Sequence, residues 1–470
     1  MKRGVTRFLI IGLMVFVASS VYGIDVSENV TISGVIKNET ASHLKMDEFM
    51  KIENTVQMGI EYRPTGYLHL FGLFRFFYDG VFDAEEQYEP VKSELYRTDV
   101  TNDWLRELYV DLLSDRLDVR LGRQQVVWGT ADGVKVLDAV NPTDMREFTL
   151  DDYADSRIPL WMVKLEYAPT LNGTFQFLFV PDFQANYIPP VGAPFTYRAS
   201  VLGQASVVNW LMAGGSVSFN EDVKPEPLKD LSDTTIGFRW LDVLGGFEYT
   251  LNFLYGYYLS GANYSWFEPT PTYPLGPIPG VNTLNLEKRY ERIYLYGASF
   301  TKALTKGPLS GLTIRGEFAY IQDVPTYYGT DGQVAGPPVK MDNFNYVLGF
   351  DKSLVTNWFA SLQFIQFITS KDNYQGNELL FGPTLGPMDQ VTTMLSLKLS
   401  TDFMHERLKP EILVIYGLDN DWKISPKVQF EILDSLVAVA GVHIFEGKPQ
   451  NLYGQFDERD ELFLELRFGF

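Results

Sequence analysis

The chain has 470 residues, of which 59 are acidic and 39 are basic, so its formal net charge is −20 at pH 7. So acidic a chain is a poor binder of phosphate backbones, and no nucleic acid is expected as a partner. The absence of cysteine excludes disulfides, thiolate metal sites and a lipid-modified cysteine anchor. Tyrosine and phenylalanine are abundant while the mean hydropathy is near zero, as in chains whose apolar and polar residues alternate.

The N-terminus has the features of a secretory signal peptide. Basic residues at positions 2, 3 and 7 precede an apolar run over residues 8–17, and small residues follow. This run is shorter than the roughly 20 residues that a membrane-spanning helix needs. We therefore predict that residues 1–23 are a cleaved signal peptide and that residues 24–470 form one domain.

Segments with two different faces follow along the rest of the chain, because side chains alternate between the two sides of a strand. No element reads as a long amphipathic helix. Short connections alternate with long ones, and the strand number is even, both of which are typical of bacterial outer-membrane barrels. We predict an all-β fold: a single transmembrane antiparallel β-barrel of about 18 strands, with 16 as the alternative, with short periplasmic turns and long extracellular loops. The predicted strands cover residues 30–38, 52–63, 67–78, 105–113, 117–127, 162–168, 174–180, 235–243, 247–258, 291–301, 312–322, 344–352, 358–368, 392–403, 408–416, 422–432, 436–445 and 461–470.

The last predicted strand shows the alternation most clearly. Leu462 and Leu464 fall on one side, where we expect lipid, and Glu465 and Arg467 fall on the other, where we expect a water-filled lumen. The strand ends the given sequence on Phe470, and it resembles the assembly signal of Gram-negative outer-membrane barrels. That resemblance implies the barrel assembly machinery as a partner, and outer-membrane lipid and lipopolysaccharide as surroundings.

The most distinctive stretch is the strand over residues 117–127 and the loop after it. A bulge at Gly122 would return the side chains that follow it to the lumen side. The loop of residues 129–160 is acidic and too long for a simple connection, so we predict that it folds inward as a constriction. Basic and amide side chains on the strand either select solutes or brace the loop by binding its carboxylates. The predicted constriction residues are Arg120, Arg123, Gln125, Asp132, Asp138 and Asp144.

Further charged residues are predicted to face the lumen. Both signs are present, so the sequence does not indicate a strongly anion- or cation-selective pore. Cross-strand ion pairs along a solvated wall account for these residues equally well. They are Arg75, Glu107, Asp111, Arg315, Glu317, Glu465 and Arg467.

A family resemblance rests on the same stretch. The combination of LGRQ at 121–124, WG at 128–129, DG at 132–133, NP-x-D at 141–144 and RIP at 157–159 resembles an outer-membrane barrel family of Gram-negative bacteria. That family is catalogued as domain of unknown function thirteen-oh-two. More distantly, the LGRQ strand resembles that of alginate-export-type porins, which have 18 strands. The resemblance implies transport, since relatives often accompany inner-membrane pumps that move apolar organic compounds.

The leading hypothesis is a porin-like outer-membrane channel for passive passage of small organic or apolar solutes. One alternative is a surface receptor or structural barrel with a closed lumen, and a second is an outer-membrane enzyme. We expect no catalytic activity, no cofactor and no metal site, because the four histidines are scattered without metal-ligand spacing.

Overall fold

A computed structural model describes residues 23–92, 104–212, 215–269, 282–330, 333–334, 337–370, 378–380 and 387–470. The predicted signal peptide therefore lies outside the described residues except for Gly23. Within the described ranges, eighteen strands form one closed antiparallel barrel, so the prediction of 18 strands is confirmed. Its strands are β1 (Val30–His43), β2 (Phe49–Thr65), β3 (Leu68–Asp79), β4 (Leu105–Leu112), β5 (Leu117–Gln124), β6 (Leu160–Tyr167), β7 (Thr174–Val180), β8 (Thr235–Leu244), β9 (Phe247–Tyr257), β10 (Arg292–Ala303), β11 (Leu312–Thr330), β12 (Val339–Val355), β13 (Trp358–Thr369), β14 (Val391–Ser400), β15 (Leu408–Gly417), β16 (Asp421–Leu433), β17 (Leu436–Glu446) and β18 (Glu461–Gly469).

The barrel is closed by its first and last strands. Each strand pairs with the next one along the chain, and β18 also pairs with β1 from Val35 opposite Gly469 to His43 opposite Glu461. Beyond the end of β18, the amide of Phe470 donates to the carbonyl of Gly34 at 3.0 Å, and Gly34 donates back at 2.8 Å. The terminal phenylalanine is thus part of the closing seam.

Side-chain exposure alternates along the strands as period-two patterning requires. On β18, Leu462 is 48% exposed and Leu464 is 36% exposed, whereas Phe463 and Glu465 are each 8% exposed. The outward faces of the other strands likewise carry exposed leucine, valine, phenylalanine and tyrosine. An apolar outer face with a polar inner face suits a barrel whose outside contacts hydrocarbon.

The two ends of the barrel differ in the length of their connections. At one end, turns such as residues 66–67, 356–357 and 434–435 join neighbouring strands. At the other end, loops reach from residue 125 to 159 and from residue 181 to 234. This asymmetry matches the predicted short turns and long loops.

Several helices and short strands lie outside the eighteen barrel strands. No long helix was predicted, yet a 15-residue helix, Arg198–Met212, lies in the loop of residues 181–234. None of the helices in the described part of the chain is long and apolar enough to cross a membrane. The remaining short elements are the helices Val81–Ala84 and Tyr153–Ser156, the 3₁₀ turns Glu86–Val91, Leu231–Asp233 and Gly454–Phe456, and the strands Ile24–Ser27, Ser216–Phe219, Ala262–Pro269, Asn282–Arg289, Gln333–Val334, Glu378–Leu380 and Pro387–Met388.

One side of the wall is built from short strands. Strands β4, β5 and β6 have 8 residues each and β7 has 7. A transmembrane strand ordinarily needs about 9–11 residues. Strand β5 was predicted to reach Val127 but ends at Gln124, because the chain turns into the barrel interior there.

The register of β9 gives a direct test of lipid and lumen faces. Leu251 is 55% exposed, whereas its neighbour Asn252 is 6% exposed and lies on the inner face. An arginine on the lipid face near the bilayer midplane costs about 2–4 kcal/mol. We expect Leu251→Arg to lower the yield of heat-modifiable, folded protein far more than Asn252→Arg does. Equal losses, or the reverse order, would show that the faces are assigned wrongly.

Candidate functional site: an inward-folded loop and the cavity beside it

The loop between β5 and β6, residues 125–159, contacts opposite walls of the barrel. On β2, the Nζ of Lys51 lies 2.7 Å from the Oε2 of Glu147. On β11, the carboxylate of Glu317 accepts a 2.9 Å hydrogen bond from the hydroxyl of Thr130. In a ring of eighteen strands, β2 and β11 are nine strands apart and therefore face each other. The loop thus crosses the interior.

At the β11 wall, the loop is held by an ion pair and by hydrogen bonds between neutral donors and carboxylates. Arg315 binds Asp132 of the loop, and its Nε also donates to Asp351 on β12 at 2.8 Å. The amide of Gln363 on β13 donates to Asp132 at 3.1 Å. Because Arg315 is fixed by a second wall residue, it presents its guanidinium to the loop in one orientation.

At the opposite wall, several cations bind residues 147–157. Besides Lys51, Arg75 on β3 pairs with Asp155 at 3.3 Å, and Lys423 on β16 donates to the carbonyl of Thr149 at 2.7 Å. Arg106 on β4 donates to the main-chain carbonyls of residues 154, 155 and 157 at 3.2, 3.1 and 2.9 Å. These contacts bind main chain as well as carboxylates, so they fix the path of the loop.

Apolar side chains of the loop fill the interior between these polar anchors. Trp128, Leu137 and Phe148 are 1%, 0% and 4% exposed and belong to one cluster with inward-facing residues of the wall. Gly297 on β10 provides the space for Leu137, since a Cβ at that position would lie 2.4 Å from the leucine Cδ2. The loop therefore has a packed core of its own inside the barrel.

An aromatic cluster joins this loop to two others. The ring centroid of Phe148 lies 4.6 Å from that of Phe456 and 5.8 Å from that of Tyr453. Both partners are in the loop of residues 447–460. Phe195, from the loop of residues 181–234, lies 5.9 Å from Phe456. Phe148 has a φ of 56°, a left-handed conformation that costs a non-glycine residue energy. Packing among three loops holds it there.

The three predicted anchors on the β5 side behave differently from one another. Arg120 does not bind the loop but pairs with Asp111 on β4, with Nε and Oδ1 2.6 Å apart. Arg123 donates to the carbonyl of Pro159 at 3.2 Å, and Gln125 donates to the carbonyl of Ala154 at 3.3 Å. Both residues bind the main chain of the loop.

The bulge predicted at Gly122 is wrong. The ladders of β5 with β4 and with β6 run through this residue without a shift of register. The irregularity is instead in the backbone, because Gly122 has a φ of 137°. A Cβ there would lie 2.2 Å from the carbonyl oxygen of Leu108, so glycine is required for steric reasons.

Of the three predicted acidic constriction residues, one binds the barrel wall and two bind other residues of the loop. Asp132 binds the wall, as described above. Asp138 pairs with Arg157 at 2.7 Å, and Asp144 binds Arg146 with an Nε to Oδ1 distance of 2.9 Å. Both of these pairs lie within the loop, so they stabilise its internal fold.

The remaining residues predicted to face the lumen lie on the strands as follows. Asp111 and Glu317 are 5% and 2% exposed and fully engaged in the contacts described above. Glu465 and Arg467 pair with each other along β18 at 2.7 Å. Glu107 on β4 is half-buried. Arg75 and Arg315 are wall anchors of the loop.

Asn141, the first residue of the NP-x-D motif, closes the gap where β5 and β6 separate. Its amide oxygen accepts from the nitrogen of Val126 at 2.8 Å, and its amide nitrogen donates to the carbonyls of Gln124 and Ile158 at 3.3 and 2.9 Å. Asn141 is 3% exposed. The side chain replaces ladder hydrogen bonds that the diverging strands lose.

A cavity of about 100 Å³ lies between the loop and the wall formed by β2 and β3. Residues 193–195 of the next loop and Glu461 at the start of β18 complete its lining. The sequence missed Lys51 because the second strand was predicted to begin at Ile52. Glu461 was counted only as the start of the last strand, although alternation with Leu462 would have placed it inside.

The family of the chain follows from a match to one family model. The model described as Protein of unknown function (DUF1302) matches residues 52–470. The chain belongs to this family. No curated protein matches it.

Two solved structures share the fold of this DUF1302 chain. A BenF-like porin from Pseudomonas fluorescens Pf-5 is 9% identical, with a TM-score of 0.51 over 94% of this chain and 98% of that one. The outer membrane protein opdK from Pseudomonas aeruginosa is 9% identical, with a TM-score of 0.50 over 94% and 99% of the two chains. At such low identity the likeness shows the fold alone.

Two loop carboxyls beside the cavity resist ionisation. Burial, and then the charge of Asp151, raise the pKa of Glu147 well above its ordinary value of 4.5. Burial also raises the pKa of Asp151. Lys51 acts in the opposite direction, but it is shared with Glu39 at 3.2 Å and Asp151 at 3.8 Å. Lys51 therefore does not offset the desolvation of Glu147 and Asp151.

The docking of this part of the loop should depend on pH. A carboxyl whose pKa is raised in the docked state favours docking fully below its ordinary pKa, and the contribution is lost as pH rises through the raised value. We expect hydrogen-exchange protection factors of amides 147–152, corrected for intrinsic rates, to fall between acid and alkaline pH. Glu147→Gln should reduce this fall, whereas a fall of the same size in that variant would contradict the assignment.

Proposed function

We propose that the protein is a passive, porin-like channel of the outer membrane for small organic solutes. An 18-stranded barrel encloses more space than its own side chains fill. The observation that carries the proposal is the inward loop, which leaves a charged cavity against the β2–β3 wall rather than filling the whole section. The passage would follow this gap between loop and wall, and the protein would transport solutes rather than transform them.

The same proposal includes the route to the membrane. Residues 1–23 would be removed on export, the strand ending at Phe470 would engage the barrel assembly machinery, and the outer faces would contact lipid and lipopolysaccharide. The apolar outward side chains and the role of Phe470 in the closing seam support this assignment.

A second candidate is a receptor or structural barrel whose lumen is closed. The packed apolar core around Trp128, Leu137 and Phe148 favours it, because a tightly packed core has few voids as large as a water molecule. Purified protein in planar bilayers separates the two. A stable open current supports the channel, and a bilayer that stays electrically silent with folded protein inserted supports the closed barrel.

Shortening the loop tests whether it sets the constriction. Replacing residues 131–148 by a short glycine-serine linker removes the contacts of Asp132 to β11 and β13, the packing of Leu137 against β10, and Phe148. We expect single-channel conductance to rise several-fold, because the cross-section would then be set by the wall. Arg123→Ala should instead give noisier currents of near-normal size, since the link to Pro159 is lost while the rest of the loop stays in place. If both variants conduct like the unaltered protein, the loop lies outside the pathway.

Deleting Phe470 tests the proposed route to the membrane. The deletion removes two main-chain hydrogen bonds to Gly34 and the terminal aromatic group. We expect the amount of heat-modifiable barrel in outer-membrane fractions to drop strongly, while Phe470→Tyr, which keeps a terminal aromatic ring, should assemble normally. Normal assembly of the deletion variant would count against an assembly signal at this end.

A further inference from the structure

The cavity beside the loop is lined by more acidic than basic side chains. Seven carboxylates and four basic side chains line it. Arg106 donates to main-chain carbonyls of the loop. The other bases bind carboxylates that also line the cavity: Lys51 with Glu147 at 2.7 Å, Arg75 with Asp155 at 3.3 Å, and Arg146 with Asp144 at 2.9 Å. The lining cations are therefore already used within the protein.

Glu461 stands apart from these pairs. It is 4% exposed and lines the cavity at the first position of β18. Among the described residues, its carboxylate has no hydrogen bond and no ion pair within 4.0 Å. Lys51 and Lys423 act on Glu461 only from beyond ion-pair distance. Burial of a carboxylate without a hydrogen bond or ion pair is costly, since desolvation penalises the charge.

A second carboxylate on the cavity shares the cation with which it is paired. Asp151 lies 3.8 Å from the Nζ of Lys51, and that same nitrogen is 2.7 Å from Glu147 and 3.2 Å from Glu39. Lys51 therefore serves three carboxylates, and Asp151 is the most distant of them. Glu461 and Asp151 are thus two acceptors that face one cavity without a cation of their own.

We propose that this cavity binds the ammonium group of an organic solute, with Glu461 and Asp151 as its acceptors. An ammonium offers three N–H donors to such carboxylates. The cavity of about 100 Å³ exceeds the roughly 10–15 Å³ that one water needs, so a small alkylammonium head can enter it. The inference rests on the proposed channel and names its substrate class.

An organic cation fits the lining better than a metal ion does. In the described part of the chain, no group of three or more acidic or histidine side chains is arranged to hold a metal. Hard cations such as calcium need six to eight converging oxygen ligands. Carboxylates spread around a cavity instead suit a larger cation that donates in separate directions.

Current block by matched solutes tests the site. Purified full-length protein is placed in planar bilayers, and potassium chloride current is measured against rising concentrations of butylammonium, butyramide or butyrate. We expect butylammonium to block at about tenfold lower concentration in the unaltered protein than in Glu461→Gln, as loss of a charge-assisted hydrogen bond implies. Glu411→Gln is the control. This substitution changes the charge by the same amount, but Glu411 is paired with Lys398 and Lys427 away from the cavity.

The outcomes separate this site from the channel. Equal half-blocking concentrations in the unaltered protein and Glu461→Gln, or equal block by butyramide, would overturn the ammonium site while leaving the channel in place. If no current is seen, the channel is rejected, and calorimetry in detergent tests the site alone. Binding of butylammonium to the unaltered protein that is lost in Glu461→Gln supports the ammonium site. If the unaltered protein does not bind butylammonium, the site is rejected as well. Heat modifiability on gels confirms that each variant is folded.

Discussion

Every main-chain polar group on the wall of this protein needs a partner inside the protein, because hydrocarbon offers none. The pairing of β18 with β1 meets that requirement for the two strands that would otherwise be edges. All other features depend on it, since an open sheet would have no interior for the loop to enter. The carbonyl and amide of Phe470 continue the seam past the end of the strand.

The interior then becomes a second folding environment, distinct from both lipid and bulk water. The loop of residues 125–159 offers both polar and apolar side chains to the inward-facing residues of the wall. Arg315 and Lys51 hold its two sides at opposite walls, while Leu137 and Trp128 pack between them. The position of the loop therefore reflects many weak contacts with distant strands rather than one strong anchor.

Alternation made the barrel predictable from the sequence. Lipid on one face and polar interior on the other impose a period of two, which Leu251 and Asn252 follow as expected. Opposite charges near residues 120–155 likewise indicated a loop that folds inward, but the expected partners were partly wrong. Arg120 pairs with Asp111 instead of with the loop, because Asp111 lies directly opposite it on the neighbouring strand.

The contacts that hold the loop could not be read from local sequence. Lys51 and Glu147 are 96 residues apart, and Lys423 and Thr149 are 274 residues apart. These contacts depend on the order of strands around the barrel and on the position of each residue along the barrel axis. Neither can be predicted from the separation of the residues in the sequence. Glu461 is an example: alternation along β18 predicts that it faces the interior, but its place in the cavity lining depends on how the loop folds.

The short strands β4 to β7 have a consequence for the bilayer around the protein. These strands contain 8, 8, 8 and 7 residues, whereas β2 and β12 contain 17 each. A barrel with a lower hydrogen-bonded wall on one flank meets a membrane of uneven effective thickness, and lipids thin or the barrel tilts to match it. In the proposed outer-membrane location, the bilayer would be thinnest, or the barrel would tilt, on the side of β4 to β7.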